Sequence, residues 1–137
     1  LYLASREPGT ITPAAELAAS LRVPHRFALK ILHSLIRSGL VRSFRGAEGG
    51  FILAGPPDRI TLLHVIEAME GPLSIHRCLT EKEACSRGCV TDCPVHAALR
   101  RIQETMAASL AATTFAMLAA ENGVQEKKTT EEEHSHG

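Results

Sequence analysis

The fold is decided by residues 23–51, which read VPHRFALKILHSLIRSGLVRSFRGAEGGF. Proline is favoured at the start of a helix and glycine just past its end, so Pro24 and Gly39 predict a helix from Pro24 to about Ser38. Its apolar residues recur at intervals of three and four, which predicts one buried face. The residues of this face are Phe27, Ala28, Ile31, Leu32, Leu35 and Ile36.

The opposite side of the same helix carries a stripe of cationic side chains. The stripe consists of Arg26, Lys30, His33 and Arg37, which are spaced by four, three and four residues. An isolated stripe of this kind is as often a solvated face as a binding surface. Its meaning therefore depends on the segments that flank it.

Two short strand-like runs follow the helix, from Leu40 to Phe44 and from Phe51 to Ala54. They flank the segment 45–50, RGAEGG, and this turn-rich sequence predicts a hairpin with a basic root. A shorter helix precedes the cationic one, and Thr12 and Pro13 predict its capped start. A helix-turn-helix followed by a glycine-tipped hairpin is the order of a winged-helix DNA-binding unit.

Composition agrees with one small, mostly helical domain. The chain has 137 residues, of which 45% are hydrophobic and 22% charged, and it has no tryptophan. A core of aliphatic residues favours helices packed on helices, so the predicted fold class is mostly α with a small β-hairpin wing. The net charge is zero, yet residues 1–55 hold seven basic residues against three acidic ones, an asymmetry expected when one part meets a polyanion.

The second half of the chain predicts two further helices. Thr61 is placed to cap a helix that runs to about Glu70 and ends at Gly71. Pro94 opens a helical run to about Ala120, and its roughly 26 residues would span about 39 Å. This exceeds the domain's width, so the surplus apolar face favours pairing with a second copy. The residues of this face are Val95, Leu99, Ile102, Met106 and Leu110.

These features predict five segments along the chain. They are a winged helix-turn-helix over 1–57, a connecting helix over 58–73, a cysteine-rich loop over 74–93, a dimerisation helix over 94–122 and a disordered tail over 123–137. The tail is polar and lacks periodicity, so its His134 and His136 are expected to be solvated.

The cysteine-rich loop contains every cysteine of the molecule. They are Cys78, Cys85, Cys89 and Cys93, separated by six, three and three residues. Clustered thiols in a reduced compartment indicate metal binding, and the absence of paired CxxC knuckles favours an iron-sulfur cluster, 2Fe-2S or 4Fe-4S, over structural zinc. His96 follows closely, so ligation by all four cysteines and ligation by three cysteines with His96 both remain open.

Other functional classes find little support in the sequence. No phosphate-binding glycine loop is present, and Glu67 and Glu70 have the spacing of a solvated helix face, so neither an enzyme nor a small-molecule substrate is expected. No run of about 20 apolar residues suggests a membrane partner, and the start lacks signal-peptide features, so we expect a cytoplasmic protein. The chain opens on Leu1 inside an apolar helical pattern, so we expect the native N-terminus to lie further upstream.

Several short motifs together resemble a known family over about Leu1 to Ala120. They are Val23-Pro24, Lys30-Ile31-Leu32, Gly39-Leu40-Val41, Arg45-Gly46-Ala47-Glu48-Gly49-Gly50-Phe51, Pro56-Pro57, Ile60-Thr61-Leu62, Glu67-Ala68, Glu70-Gly71-Pro72 and Cys93-Pro94-Val95-His96. The combination resembles the winged-helix bacterial regulators of the IscR/NsrR type, which are iron-sulfur cluster regulators.

This resemblance implies a homodimeric repressor that binds an imperfect palindrome in double-stranded DNA and responds when a cluster is gained, lost, oxidised or nitrosylated. The cationic helix would enter the major groove with His25, Arg26 and Lys30 near its start. Arg45 and the RGxxGG wing, with its glycines Gly46 and Gly49, would reach the minor groove or the backbone. Arginine can pair bidentately with guanine, whereas Lys30 suits a phosphate.

The resemblance also implies three cysteine ligands and a variable fourth. Cys78 and Cys93 match this pattern, while Cys85 and Cys89 compete for the middle place. Two other hypotheses remain: a cluster-free thiol or zinc sensor on the same fold, and an interaction protein whose basic face binds an acidic partner protein.

Overall fold

A computed structural model describes residues 1–88 and 91–123. Its elements in chain order are α1 (Tyr2–Ser5), α2 (Ala14–Leu21), α3 (His25–Arg37), β1 (Val41–Phe44), β2 (Gly50–Leu53), α4 (Leu62–Glu70) and α5 (Pro94–Ala112). Residues 115–123 are helical again. The mostly helical fold class with one small hairpin is thereby confirmed. Cys89, His134, His136 and almost all of the predicted tail lie outside the described residues.

The helix-turn-helix and the hairpin share one core. Strands β1 and β2 pair antiparallel, with Val41 opposite Leu53. Val41 and Phe51 of the hairpin are buried in one cluster with Leu17 of α2 and Leu32 of α3. This common core fixes the orientation of α3 relative to the hairpin. No helix in the described ranges is long and apolar enough to span a bilayer.

The predicted helix over 24–38 is confirmed as α3. Gly39 adopts a left-handed conformation with φ +72°, and its amide donates to the Ile36 carbonyl. Ala28 and Leu32 are buried as predicted. The prediction for Phe27 is wrong, because this side chain is 51% exposed. Phe27 lies about 100° around the helix from the buried Ala28, which places Phe27 at the edge of the apolar face.

Thr12 has a different role from the predicted helix cap. Its backbone N–H donates to the Phe51 carbonyl at 3.0 Å, and the Phe51 N–H donates to the Thr12 carbonyl at 2.9 Å. The residue is fully buried and extends the hairpin by one bridge, while Pro13 occupies the N-cap position of α2. Pairing with the neighbouring strand therefore outweighs local capping at this position.

Close packing at this bridge makes Gly50 indispensable. A Cβ atom on Gly50 would lie 2.4 Å from the Thr12 carbonyl oxygen, whereas one on Gly55 would meet nothing within 4 Å. Because the Thr12 backbone cannot retreat without breaking its bridge, we expect Gly50→Ala to destabilise the fold by at least about 2 kcal/mol. In thermal unfolding followed by circular dichroism, the midpoint should fall by roughly 5 to 10 °C. The Gly55→Ala variant is the matched control, and an equal midpoint for the two variants would contradict the prediction.

The predicted cap of α4 is confirmed. The Thr61 hydroxyl accepts from the His64 amide, and the His64 Nδ1 accepts from the Thr61 amide, both at 3.3 Å. These reciprocal bonds form a capping box, and the helix ends at Gly71 with φ +86°. The cysteine loop begins directly after this turn.

The single helix predicted from Pro94 to about Ala120 is wrong in its extent. Helix α5 has 19 residues, or about 28 Å, and ends at Ala112. Thr114 forms a β-bridge with Thr61, in which the Leu62 amide donates to the Thr113 carbonyl and the Phe115 amide donates to the Ile60 carbonyl. Backbone pairing with a distant segment interrupts the helix, and helical structure resumes over 115–123.

Candidate DNA-binding surface and cysteine site

The cationic stripe forms the outer face of α3. All four of its side chains, Arg26, Lys30, His33 and Arg37, are exposed. They line one shallow concavity together with Leu29 and Ile36. His25 is also exposed, at the first turn of the helix. The predicted binding residues of α3 therefore share an accessible surface opposite the core.

The wing displays its arginine on a tight turn. Arg45 is exposed, and Gly46 adopts φ +110°, a region that disfavours other residues. The Gly49 amide donates to the Gly46 carbonyl at 3.0 Å, and a Cβ on Gly49 would lie 2.4 Å from the Phe44 carbonyl oxygen. Gly46 and Gly49 thus shape the turn through their backbone, while Arg45 supplies the charge.

The cations of α3 and of the wing are not neutralised by nearby acidic side chains within the described residues. In the described part of the chain, no ion pair involves Arg26, Lys30, Arg37 or Arg45. Glu16 of α2 lies 3.5 Å from the Arg6 guanidinium and accepts a hydrogen bond from the Tyr2 hydroxyl at 2.7 Å. This bond to a carboxylate raises the pKa of Tyr2. The basic face is therefore available to an external polyanion.

Two exposed arginines of this half that form no ion pair within the described residues were absent from the predicted binding set. Arg22 ends α2 in a left-handed conformation with φ 52°, which is uncommon for a residue other than glycine. Arg42 points outward from β1. Their charges alone gave no periodic signal, because Arg22 lies in the turn and Arg42 on a strand.

Seven residues of the cysteine-rich loop line one pocket together with the start of α5. Its lining consists of His76, Cys78, Ala84, Cys85, Ser86, Arg87, Cys93, Val95, His96 and Leu99. Cys78 lies in a single 3-10 turn, where its amide donates to the His76 Nδ1 at 3.2 Å, and Cys93 is the N-cap residue of α5. Cys78 and Cys93 are free thiols. The structure thus brings Cys78, Cys85, Cys93 and His96 to a common pocket.

His96 carries an unusual polar atom. Its Nδ1 is buried and has no hydrogen-bond partner among the residues that the structure describes. Leaving such an atom unpaired costs about 1 to 3 kcal/mol, so it calls for a missing partner such as a metal ion. His96 lines the same pocket as the thiols. Soft thiolates with an imidazole are a donor set suited to an iron-sulfur cluster.

The pocket is not closed around one centre. Over residues 1–88 and 91–123, no three His, Cys, Asp or Glu side chains are close enough to hold a metal ion. Cys89 lies outside the described residues. The donor set therefore fits a cluster in its chemistry and its shared pocket, and the ligands would have to converge on binding.

Helix α5 borders two concavities. Val95 and Leu99, which the sequence predicts on the apolar dimer face, both line the cysteine pocket. Ile102 is 57% exposed and lines a shallow outer groove with Ala98, Arg101, Thr105 and Met106. Val95 is 63% exposed. An apolar side chain such as Ile102 at this exposure leaves a surface suited to a partner helix.

A winged helix-turn-helix with an exposed cationic helix defines a DNA-binding regulator. Comparison with known proteins agrees: residues 1–121 match the family described as "Rrf2: Iron-dependent Transcriptional regulator", and the chain belongs to this family. The family is one of transcriptional regulators. The resemblance to IscR-type regulators is confirmed at the level of the family.

Similar proteins from bacteria match between 54% and 64% of this chain. The HTH-type transcriptional regulator CymR of Bacillus subtilis is 31% identical over 87 residues, which cover 64% of this chain and 63% of CymR. Protein aau3 of Rhizobium meliloti is 38% identical over 88 residues, 63% of this chain and 55% of that protein. Among the first relatives, the matched segments span only 46% to 63% of the relative's length.

Solved structures extend the likeness to most of the chain. The structure of CymR (YrzC), the global cysteine regulator of B. subtilis, has a TM-score of 0.70 and 28% identity, and covers 88% of this chain and 86% of that one. T. potens IscR has a TM-score of 0.65 over 88% of this chain and 77% of that one. Its identity is 21%, so the second likeness concerns the fold alone.

Proposed function

We propose that this chain acts as a homodimeric repressor whose affinity for a palindromic DNA operator is controlled by an iron-sulfur cluster in the cysteine loop. The observation that carries the proposal is the common pocket of Cys78, Cys85, Cys93 and His96, together with the buried His96 Nδ1, which has no hydrogen-bond partner within residues 1–88 and 91–123. The family's description as iron-dependent supports the same assignment.

On DNA, α3 would occupy the major groove. Arg26 would read a guanine through two parallel hydrogen bonds, while Lys30 would contact a phosphate. Arg45 would reach the minor groove or the backbone from the wing. Support comes from the exposure of these side chains and from the lack of ion pairs at them within the described residues.

The salt dependence of binding tests this part of the proposal. An operator selected from a random DNA pool should bind with an affinity that falls steeply with salt, because each neutralised phosphate adds about −0.9 to the logarithmic slope. The Lys30→Gln variant should lower the magnitude of the slope by about 0.9 per protomer that makes the contact. Fluorescence anisotropy measures both. Equal affinity for the selected operator, random DNA and an acidic protein would favour an interaction protein instead.

For the cluster, the described residues favour Cys78, Cys85, Cys93 and His96 as ligands. Cys85 is assigned the middle place because it lines the pocket, while Cys89 lies outside the described residues. When bound, the cluster would supply a centre that iron supply, oxygen, nitric oxide or redox state can alter. The residues themselves would hold it between the end of α4 and the start of α5.

We expect His96→Ala to shorten the lifetime of the cluster against an iron chelator by about 10-fold or more, since removing a ligand exposes a coordination position. The electron paramagnetic resonance spectrum of the reduced cluster should also change. His76→Asn serves as the matched control, because it removes a second imidazole from the same pocket while an asparagine side chain can still accept from the Cys78 amide. Unchanged lifetime and spectrum in His96→Ala would assign the fourth position to another residue.

The position of the loop suggests how the cluster would act on DNA. The loop joins α4, next to the winged-helix core, to α5, whose outer groove is the proposed dimer seam. Assembly of a cluster would set the angle between the two winged-helix units and hence the spacing of the half-sites. Equal operator affinity of the cluster-loaded and cluster-free forms at fixed salt would exclude this coupling.

A cluster-free thiol or zinc sensor is the second candidate. It is favoured by the free thiols of Cys78 and Cys93 and by the open arrangement of the pocket. The structural likeness to a global cysteine regulator points the same way. Iron, sulfide and zinc analysis of the purified chain separates the two candidates.

A further inference from the structure

The first stretch of the cysteine loop is held by side chains that accept hydrogen bonds from its backbone. The Glu67 carboxylate accepts from the Leu73 amide at 3.3 Å, the Gln103 carbonyl oxygen accepts from the Ile75 amide at 3.1 Å, and the His76 Nδ1 accepts from the Cys78 amide at 3.2 Å. Glu67 and His76 are near neighbours in sequence of the amides they bind. Gln103 is 28 residues away and lies on α5.

Gln103 shares a face of α5 with His96. Seven residues separate them, and at about 100° per residue they differ by about 20° around the helix axis, two turns apart. Leu99 lies between them and also lines the cysteine pocket. In the outer groove, Arg101 and Thr105 lie about 160° around the helix from Gln103, whereas Ile102 and Met106 lie about 60° and 20° from Leu99. The loop and the proposed dimer seam therefore contact adjacent faces of α5, with Leu99 and Met106 at their border.

We propose that Gln103 is a positioning residue that fastens the cysteine loop to α5 and passes the state of the cluster site to that helix. The inference rests on the proposed function and specifies how the state of the cluster would be transmitted to α5. Ile75 lies three residues before Cys78, and three residues of extended chain span about 10 Å. The hydrogen bond from Ile75 to Gln103 therefore keeps Cys78 within about that distance of α5. His96 is fixed on the same face, so convergence of Cys78 and His96 on one centre would pull the loop against Gln103.

The chemistry of residue 103 allows a clean pair of variants. Gln103→Met keeps the length of the side chain and removes the carbonyl acceptor, while Gln103→Glu keeps an acceptor oxygen in the same place. Gln103 is half-buried near the surface, so both variants should fold. Thermal unfolding midpoints close to that of the unsubstituted chain would establish this point before the comparison.

The first measurement uses the full chain without any cluster. Amide hydrogen exchange, followed residue by residue by nuclear magnetic resonance, should be about fivefold faster at Ile75 in Gln103→Met and close to the unsubstituted rate in Gln103→Glu. The amide of Leu62, which bonds to Thr113 far from the loop, is the internal reference. An unchanged Ile75 rate in Gln103→Met would overturn the positioning role.

The second measurement compares operator affinity with and without the cluster. The ratio between the two forms should shrink at least about threefold in Gln103→Met and be restored in Gln103→Glu. A full ratio in Gln103→Met would overturn the relay through this residue. If the unsubstituted chain itself shows no cluster or no ratio, the proposed function fails, and the relay with it, while the exchange result still decides whether Gln103 positions the loop.

Discussion

A chain carrying Cys93→Ser is expected to lose the iron-sulfur cluster when it is purified without oxygen. Cys93 caps the N-terminus of α5 and lines the pocket shared with Cys78 and His96. A serine hydroxyl is a poor substitute for a soft thiolate. Iron and sulfide per chain should fall by about 10-fold or more, given that even outer-shell changes cost about 10- to 100-fold in metal affinity.

Cys89→Ser is the matched control, because it removes one thiol of the same loop that the proposal does not use as a ligand. We expect it to retain its iron and its visible spectrum, whereas Cys85→Ser should behave like Cys93→Ser. Retention of the cluster in Cys85→Ser with loss in Cys89→Ser would reassign the middle ligand. Retention in Cys93→Ser would contradict the proposed site as a whole.

The second large effect is expected from Arg26→Ala. Arg26 is exposed on α3 and makes no ion pair within the described residues, so its guanidinium is free to read a base. Losing a bidentate contact to guanine should weaken operator binding by about 1 to 3 kcal/mol, or about 5- to 150-fold. Fluorescence anisotropy at fixed salt measures the change, and specificity at one base pair should relax.

Arg100→Ala provides the control for this variant. Arg100 is an equally charged, exposed residue in mid-helix, but it lies on α5, 4.0 Å from Glu104. It should leave operator affinity nearly unchanged. If Arg26→Ala weakens binding equally on the operator and on random DNA, Arg26 contacts a phosphate and reads no base. If it weakens neither, α3 is not the recognition helix.

Local signals made the winged helix predictable from sequence. Pro24 and Gly39 mark the start and the end of α3, because proline and glycine have strong backbone preferences that depend little on context. The RGAEGG turn likewise placed the hairpin, since Gly46 requires a positive φ and the glycines at 49 and 50 lie against the backbone. The apolar periodicities of the helix and the strands then indicated which residues form the core.

Features that depend on pairing between residues far apart in the chain could not be predicted from the sequence. Helix α5 ends before Thr113 because the chain at Thr114 pairs with Thr61, and Thr12 is buried because it pairs with Phe51. Neither partnership leaves a periodic signal in the segment itself. Phe27 fitted the apolar spacing yet lies at the edge of the buried face, where a small rotation decides its exposure.

The cysteine site was partly predictable. Clustering of thiols indicated metal chemistry, and the spacing Cys93-x2-His96 suggested an imidazole ligand. Spacing could not choose between Cys85 and Cys89, because loop geometry decides which thiol meets the pocket. The hydrogen bond from Ile75 to Gln103 was equally hidden, since it joins positions 28 residues apart.

The most direct test of the account is the visible spectrum of the chain purified without oxygen, with iron, sulfide and zinc counted per chain. We predict a brown protein in which iron and sulfide are matched, in amounts that indicate a two-iron or four-iron cluster. A colourless protein with about one zinc, or with no metal, even after attempted cluster reconstitution, would contradict iron-sulfur control and favour the thiol or zinc sensor.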